Sequence, residues 1–415
     1  MENASGTFRP PGSKSLTNRA LLAAALAPGT SVLEHPLDSD DTRYMRQALQ
    51  ALGVQIDDSS KSKWEIIGAD GSFSTNQTEL FLGNAGTAMR FLTAVLSACP
   101  GSYTLDGVPR MQQRPIAQLV DALRELGANI EYLQKQGCPP LAIVGSALEG
   151  GSCSIADPQS SQYVSALLLA APLARSETSI AVAGNLVSAP YVRMTLSVML
   201  AFGIDGVAER NVFTISPSSY RATTYTVEPD ASSASYLLAA AAITGGKVTV
   251  EGLGNKSCQG DVGFADLLHQ MGAGMVFGDD FITVHGIGPL HGVDVDLAAM
   301  PDMAQTLAVV ALFASGSTTI HNVANLRIKE TDRIAALESE LTKLGAQVEV
   351  LDDGLRINPP SQLKPASIET YDDHRMAMSF ALAALKCPGI KIQDPECVSK
   401  TFPDYFQTIE SLRTQ

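Results

Sequence analysis

The amino-acid sequence predicts an α/β protein of two similar domains, each holding three copies of one small unit. Three observations lead there. An Ala/Leu-rich run recurs six times, at residues 20–27, 88–98, 164–174, 234–243, 304–314 and 376–385, each closed by a turn at Gly29, Gly101, Ser176, Gly245, Gly316 or Gly389. A second pattern, an apolar helix end followed by glycine, recurs out of phase, with Gly53, Gly127, Gly203, Gly272 and Gly345 where a left-handed residue ends a helix. Both patterns repeat every 69–76 residues, so six units fill the 415-residue chain with little left for long linkers.

Each element of that prediction has a local reason. Strands such as Thr30-Ser-Val-Leu, Ser179-Ile-Ala-Val, Lys247-Val-Thr-Val and Thr318-Thr-Ile-His follow the turns. Every unit therefore has two helices and several short strands. The first helix of each unit is apolar nearly all round and reads as buried, with strands outside it. A unit of about 70 residues buries little alone, so the units must pack together, three and three. Lys14 and Arg19 ahead of Ala20–Ala27 imitate a secretory signal, but the same short run recurs five more times downstream. No run reaches the roughly 18 apolar residues of a membrane span.

Composition narrows function. Hydrophobic residues make up 45% and charged residues 17%, a compact globular balance rather than a disordered one. The net charge of −14 excludes a general nucleic-acid binder or an anionic-membrane binder. Six cysteines show no Cys-x-x-Cys pair and no histidine at metal-ligand spacing, which fits free thiols in a reducing cytoplasm; no metal or cofactor is expected.

Against this acidic background, short basic motifs sit before or at the start of helices, where backbone N–H groups favour anions. Pro11-Gly12-Ser13-Lys14-Ser15 opens the first, with Gly12 permitting a tight turn and Ser13 or Ser15 able to cap. Gly83 and Gly86 in Leu82-Gly-Asn-Ala-Gly-Thr-Ala-Met-Arg90 leave the backbone open to close approach. Arg114 offers a planar fork for a carboxylate or phosphate, and Ser160-Ser161-Gln162 offers polar donors. Read singly, each stretch has an ordinary alternative: a solvated loop, a flexible turn, a helix cap at Ser160 or Asp302, or a surface salt-bridge cluster at Lys329, Glu330 and Arg333. Jointly, Lys14, Arg19, Arg90, Arg114, Lys329, Arg333, Arg375 and Lys400 are eight of 29 basic residues. If the repeats are equivalent in space, they converge on a small, multiply anionic ligand, with Asp302 and Glu330 as acid–base candidates.

The motifs above, with Arg114-Pro-Ile, Lys329-Glu-Thr-Asp-Arg333, Asp373-His-Arg-Met-Ala-Met378 and Lys400-Thr-Phe-Pro-Asp404, resemble the 5-enolpyruvylshikimate-3-phosphate synthase family of enolpyruvyl transferases from about Thr7 to Arg413. The resemblance implies an inside-out α/β barrel in each domain, built of three βαβαββ units with buried helices and outer sheets. It places a discontinuous domain at 1–11 plus 229–415 and a second at 12–228, the former carrying mainly phosphoenolpyruvate-side residues and the latter mainly shikimate 3-phosphate-side ones. It implies transfer of the enolpyruvyl group of phosphoenolpyruvate to the 5-hydroxyl of shikimate 3-phosphate through a tetrahedral intermediate, with phosphate released and the domains closing on the substrates.

The resemblance also assigns residues. Lys14, Ser15, Arg19, Ser160, Ser161, Gln162, Ser188, Tyr191, Asp302, Asn325 and Lys329 would hold shikimate 3-phosphate. Lys14, Gly86, Arg114, Gln162, Arg333, Arg375 and Lys400 would surround phosphoenolpyruvate. Asp302 would be the base for the hydroxyl, with Glu330 and Lys14 as proton-transfer groups. The substrates would be the only partners, and the chain is expected to be a monomer. Phe91 follows Arg90 where the family usually has proline, a departure that bears on the Gly86 loop and on glyphosate, the family's phosphoenolpyruvate-site inhibitor. The alternative is the sister UDP-N-acetylglucosamine enolpyruvyl transferase. It has Lys-Asn where this chain has Lys14-Ser15 and usually a cysteine near Arg110–Arg114, whereas this chain has none between Cys99 and Cys138. A catalytically silent binding protein on the same scaffold is the other alternative, against which Asp302, Glu330, Lys14 and Lys400 speak.

Overall fold

The computed structural model describes residues 3–73 and 77–412. Their contacts divide into two compact units, Gly12–Val227 and a discontinuous one in which the N-terminal segment up to Pro11 joins the chain from Glu228 onward. Glu228, placed by the sequence in the 12–228 span, groups with the discontinuous unit. Its carboxylate accepts hydrogen bonds from Ser257 Oγ (2.6 Å), Cys258 N (3.2 Å) and Gln259 Nε2 (3.0 Å), all in the discontinuous unit.

Within Gly12–Val227, three four-stranded sheets share one topology: first strand parallel to second, second antiparallel to fourth, fourth antiparallel to third. Gln77–Phe81, Gly101–Asp106, Asn129–Tyr132 and Leu141–Gly145 form one such set in chain order. The sheet around Pro28–Glu34 takes its first strand, Thr224–Thr226, from the far end of the unit. The discontinuous unit repeats the device: Ser5–Phe8 runs parallel to Lys247–Glu251. Among the described residues, its last repeat carries the parallel pair Ser367–Ile368 and Lys391–Ile392, then the helix Tyr405–Ser411.

The recurring apolar runs are the first helices of the repeats: Lys14–Leu26, Gly86–Ala98 and Ser161–Ala170 in one unit, Ala231–Thr244, Ala304–Val310 and His374–Ala384 in the other. Every residue of Gly86–Ala98 and Ala231–Thr244 is buried, which explains why the sequence shows no polar stripe there. Ser161–Ala170 is shorter than its apolar run. Pro172 lacks an amide hydrogen, and the chain passes into the 3₁₀ turn Ala171–Leu173. Gly86–Ala98 packs on both Lys14–Leu26 and Ser161–Ala170, while the three helices of the discontinuous unit pack on one another.

The second helices, such as Asp40–Ala51, Ala117–Glu125 and Arg333–Lys343, are amphipathic and cover those cores. Gly53, Gly127, Gly203, Gly272 and Gly345 have φ between +81° and +110°, the left-handed ends that the repeat pattern implied. Among the described residues, no helix is long and apolar enough to cross a membrane.

Candidate active site

In the Gly12–Val227 unit, the helices Lys14–Leu26 and Gly86–Ala98 open on the predicted anion motifs. Lys14 is the first residue of its helix, and its ammonium lies 3.1 Å from the Asp41 carboxylate, which is 2% exposed. Gly12 precedes it for a steric reason: a Cβ there would collide with the His35 carbonyl oxygen. Ser13 stands at the cap position, but its hydroxyl caps nothing. Arg19 is buried one turn further on. Its Nε donates to Thr195 Oγ1 (2.7 Å), Nη1 to the Ser15 carbonyl (2.8 Å), and Nη2 to Ser165 Oγ and the Tyr191 carbonyl (3.3 Å each). The Phe91 ring lies 5.0 Å from the guanidinium carbon of Arg19, so the residue that departs from the family pattern stacks on a predicted ligand residue.

Gly86 starts its helix with its α-carbon against Arg114. A Cβ would come within 2.6 Å of the guanidinium Nη2. Arg114 donates to both the carbonyl and the side-chain oxygen of Asn84 (3.1 Å each), and Arg90 to the Pro115 carbonyl (2.9 Å). Gln162 Nε2 donates to Thr87 Oγ1 (3.3 Å), which ties the third repeat to the second. Ser160 caps the Gln162 amide, the ordinary alternative that the sequence offers for that stretch. Ser188 takes a left-handed conformation (φ +57°) at the head of Ala189–Ala201, the helix that carries Tyr191.

The discontinuous unit carries the densest charge cluster. Asp302 is in the 3₁₀ turn Pro301–Met303 and does not cap the following helix. Its Oδ1 lies 3.0 Å from Arg333 Nη1 and 3.7 Å from Lys329 Nζ, and its Oδ2 lies 3.0 Å from Arg375 Nη2. Burial alone would raise its pKa, but Arg375, Lys329 and Arg333 override that and hold the carboxyl far below the usual range. Arg333, 1% exposed, also pairs with Glu330 (3.1 Å) and grips Asp373 through Nε (2.7 Å) and Nη2 (3.2 Å). Lys329 and Glu330 are half-buried and Arg333 is buried, and they connect through Asp302 and Arg333 rather than as a fully exposed surface cluster. Asp373 caps His374–Ala384 through the Arg375 amide (2.9 Å). Asn325 Oδ1 is shielded from solvent with no hydrogen-bond partner among the described residues. Lys400 ends the 3₁₀ turn Pro395–Lys400 near Asp372.

Three partners escaped the sequence reading: Asp41 behind Lys14, Asp373 behind Arg333, and Ser232, whose Oγ accepts from Arg375 Nη2 (3.3 Å). Asp373 adjoins His374-Arg375 within a motif already singled out, which was the one available signal.

Residues 1–409 match the EPSP synthase family (3-phosphoshikimate 1-carboxyvinyltransferase). The chain belongs to the EPSP synthase family. A 3-phosphoshikimate 1-carboxyvinyltransferase of Sulfurovum sp. (strain NBC37-1) is 52% identical over 412 residues, covering 98% of this chain and 96% of the relative. That of Vibrio atlanticus (strain LGP32) is 50% identical, covering 99% and 98%. The solved EPSP synthase of Acinetobacter baumannii superposes with a TM-score of 0.83 at 28% identity, covering 99% of this chain and 96% of that one. The activity follows: this EPSP synthase family member transfers the enolpyruvyl group of phosphoenolpyruvate to shikimate 3-phosphate, a step of aromatic amino acid biosynthesis.

Proposed function

We propose that the residues described above divide the work of this transfer as follows. Lys14, Ser15, Arg19, Ser160, Ser161, Gln162, Ser188, Tyr191, Asn325 and Lys329 hold shikimate 3-phosphate. Gly86, Arg114, Arg333, Arg375 and Lys400, with Lys14 and Gln162, hold phosphoenolpyruvate. Asp302 takes the proton of the 5-hydroxyl, and Glu330 and Lys14 move the proton at the methylene carbon. The hydroxyl oxygen adds to C2 while C3 gains a proton, giving a tetrahedral ketal phosphate. C3 then loses a proton, the C2–O bond to phosphate breaks, and inorganic phosphate leaves with the electron pair.

The observation that carries this reading is Asp302 held by Lys329, Arg333 and Arg375 at once. A carboxylate so stabilised is a weak base. Arg333 and Arg375 have planar forks that suit carboxylates and phosphates better than a shared aspartate oxygen. An incoming phosphoenolpyruvate draws them off Asp302, and the loss of two cations raises its basicity when the hydroxyl arrives. The charge cluster thus stores the base in a weak form and releases it on binding.

Phosphate release from shikimate 3-phosphate plus phosphoenolpyruvate tests the roles. Asp302→Asn and Glu330→Gln each lower kcat by about 10²–10⁴-fold while the proteins stay folded. Near-wild-type rates for both overturn the assignment. We further propose that the chain acts as a monomer in the cytoplasm. Its six cysteines form no disulfide with one another, as a reducing compartment requires, and sedimentation equilibrium checks the mass.

A further inference from the structure

Glu340 is a fully buried carboxylate with no part in the reaction described above. It lies on the helix Arg333–Lys343, seven residues after Arg333 and so two turns along the same face. Its Oε2 accepts the Glu369 amide (3.1 Å), its Oε1 accepts the Tyr371 hydroxyl (2.6 Å), and Lys343 Nζ donates to both oxygens (2.9 and 2.8 Å). Two turns away, Arg333 on the same face grips Asp373. One helix face therefore pins both ends of segment 369–373.

The pinned segment is costly in itself. Tyr371 and Asp372 are consecutive non-glycine residues with φ of +56° and +54°, a left-handed pair that persists only where the surroundings hold it. The turn closes through the Asp373 amide on the Thr370 carbonyl (2.9 Å) and leads directly into Arg375, whose guanidinium reaches Asp302.

We propose that Glu340 and Tyr371 are positioning residues for the transfer: the carboxylate holds the left-handed turn that sets where Arg375 meets phosphoenolpyruvate. The proposal rests on the reading of Arg375 as a phosphoenolpyruvate ligand. Glu340 touches neither Arg375 nor a reacting atom; it acts through the backbone of 369–373. Releasing one end of a double pin frees the turn without removing the helix, so substrate affinity changes rather than the fold.

Glu340→Ala strands buried donors and is a poor test of position. Tyr371→Phe is the better variant: it removes one hydroxyl from a half-exposed ring and leaves Glu340, Lys343 and the Glu369 amide in place. The assay is steady-state kinetics in each substrate, with thermal unfolding alongside and Arg375→Lys as reference. Tyr371→Phe raises the KM for phosphoenolpyruvate about tenfold, leaves the KM for shikimate 3-phosphate unchanged and leaves Tm unaltered. In the Arg375→Lys background, the same substitution adds little further, because the group it positions is already displaced. An unchanged KM for phosphoenolpyruvate in Tyr371→Phe, while Arg375→Lys raises it, overturns the proposal alone. Equal rises in both KM values with a fallen Tm show a merely structural tether and also overturn it. An Arg375→Lys enzyme with unaltered KM for phosphoenolpyruvate overturns the ligand reading and the proposal together.

Discussion

Replacing Asp261 by asparagine should flatten the acid side of this protein's stability profile. Asp261 is in the 3₁₀ turn Gly260–Gly263, buried, accepting the Ser232 hydroxyl at 2.5 Å. Burial, and then the negative charge of Asp302, push its carboxyl from an ordinary 3.8 up to about 6. The fold therefore prefers the protonated form. Its contribution is fully present below the unfolded value and is lost as pH rises through about 6. A shift from 3.8 to about 6 corresponds to about 3 kcal/mol at about 1.4 kcal/mol per pH unit. Asp302 has the opposite sign: its pKa is depressed, so its contribution is lost only below the ordinary carboxylate range and does not tilt the profile between about pH 4 and 7.

Asparagine keeps an oxygen for Ser232 and never ionises. The difference in unfolding free energy, variant minus wild type, should grow by about 2.5 kcal/mol between about pH 4 and 7, in favour of the variant. Urea unfolding followed by far-UV circular dichroism reads it. Tryptophan fluorescence does not, because Trp64, the only tryptophan, belongs to the Gly12–Val227 unit. A difference that stays constant to within about 0.5 kcal/mol across that window refutes the assignment of a raised pKa to Asp261.

Two further outcomes follow from close contacts in the Gly12–Val227 unit. Gly86→Ala places a methyl 2.6 Å from Arg114 Nη2, the movable end of a side chain; the protein should fold normally while the KM for phosphoenolpyruvate rises at least tenfold, and an unchanged KM shows that Arg114 does not contact that substrate. Phe91→Leu preserves an apolar core residue but removes the ring beside Arg19; losing about 1 kcal/mol of cation–π attraction should raise the dissociation constant for shikimate 3-phosphate about fivefold in equilibrium dialysis, and unaltered affinity shows that the stack does not hold Arg19.

The repeat was legible because each copy obeys the same two physical demands. A helix buried on every side must be Ala/Leu-rich, as at Ala231–Thr244, and a helix that turns sharply into a strand needs a left-handed end, as at Gly53 or Gly345. Strand order was less legible. Thr224–Thr226 and Ser5–Phe8 are three and four residues long, too short for a period, and they pair with strands about 190 and about 240 residues away in sequence. Glu228 shows the same limit at the unit boundary, since only its partners Ser257 and Gln259 reveal where it belongs.

In the active site the cations were legible, as were Asp302 and Glu330, but the counter-ions Asp41 and Asp373 were not, for a reason rooted in local chemistry. An aspartate before or within the first turn of a helix is already explained by capping and by the helix dipole. Asp41 and Asp373 therefore carry no surplus signal, and Asp302 reads as a cap although the structure gives it none. Their second role, pairing with Lys14 or with Arg333 and Arg375, spans 27 to 73 residues of sequence and leaves no spacing to read. The omission changes the physical picture of binding. A cluster of cations alone would be a vacant anion trap, whereas Lys329, Arg333 and Arg375 face Asp302, Glu330 and Asp373 in equal number. On the proposed assignment, anion binding there is an exchange of one carboxylate partner for another, and it succeeds only if the ligand's phosphate and carboxylate groups outcompete an aspartate already in place. On the same proposal, a chain of net charge −14 takes up anionic substrates because attraction is decided within a few ångströms, where partners change, and not by the summed field of the surface.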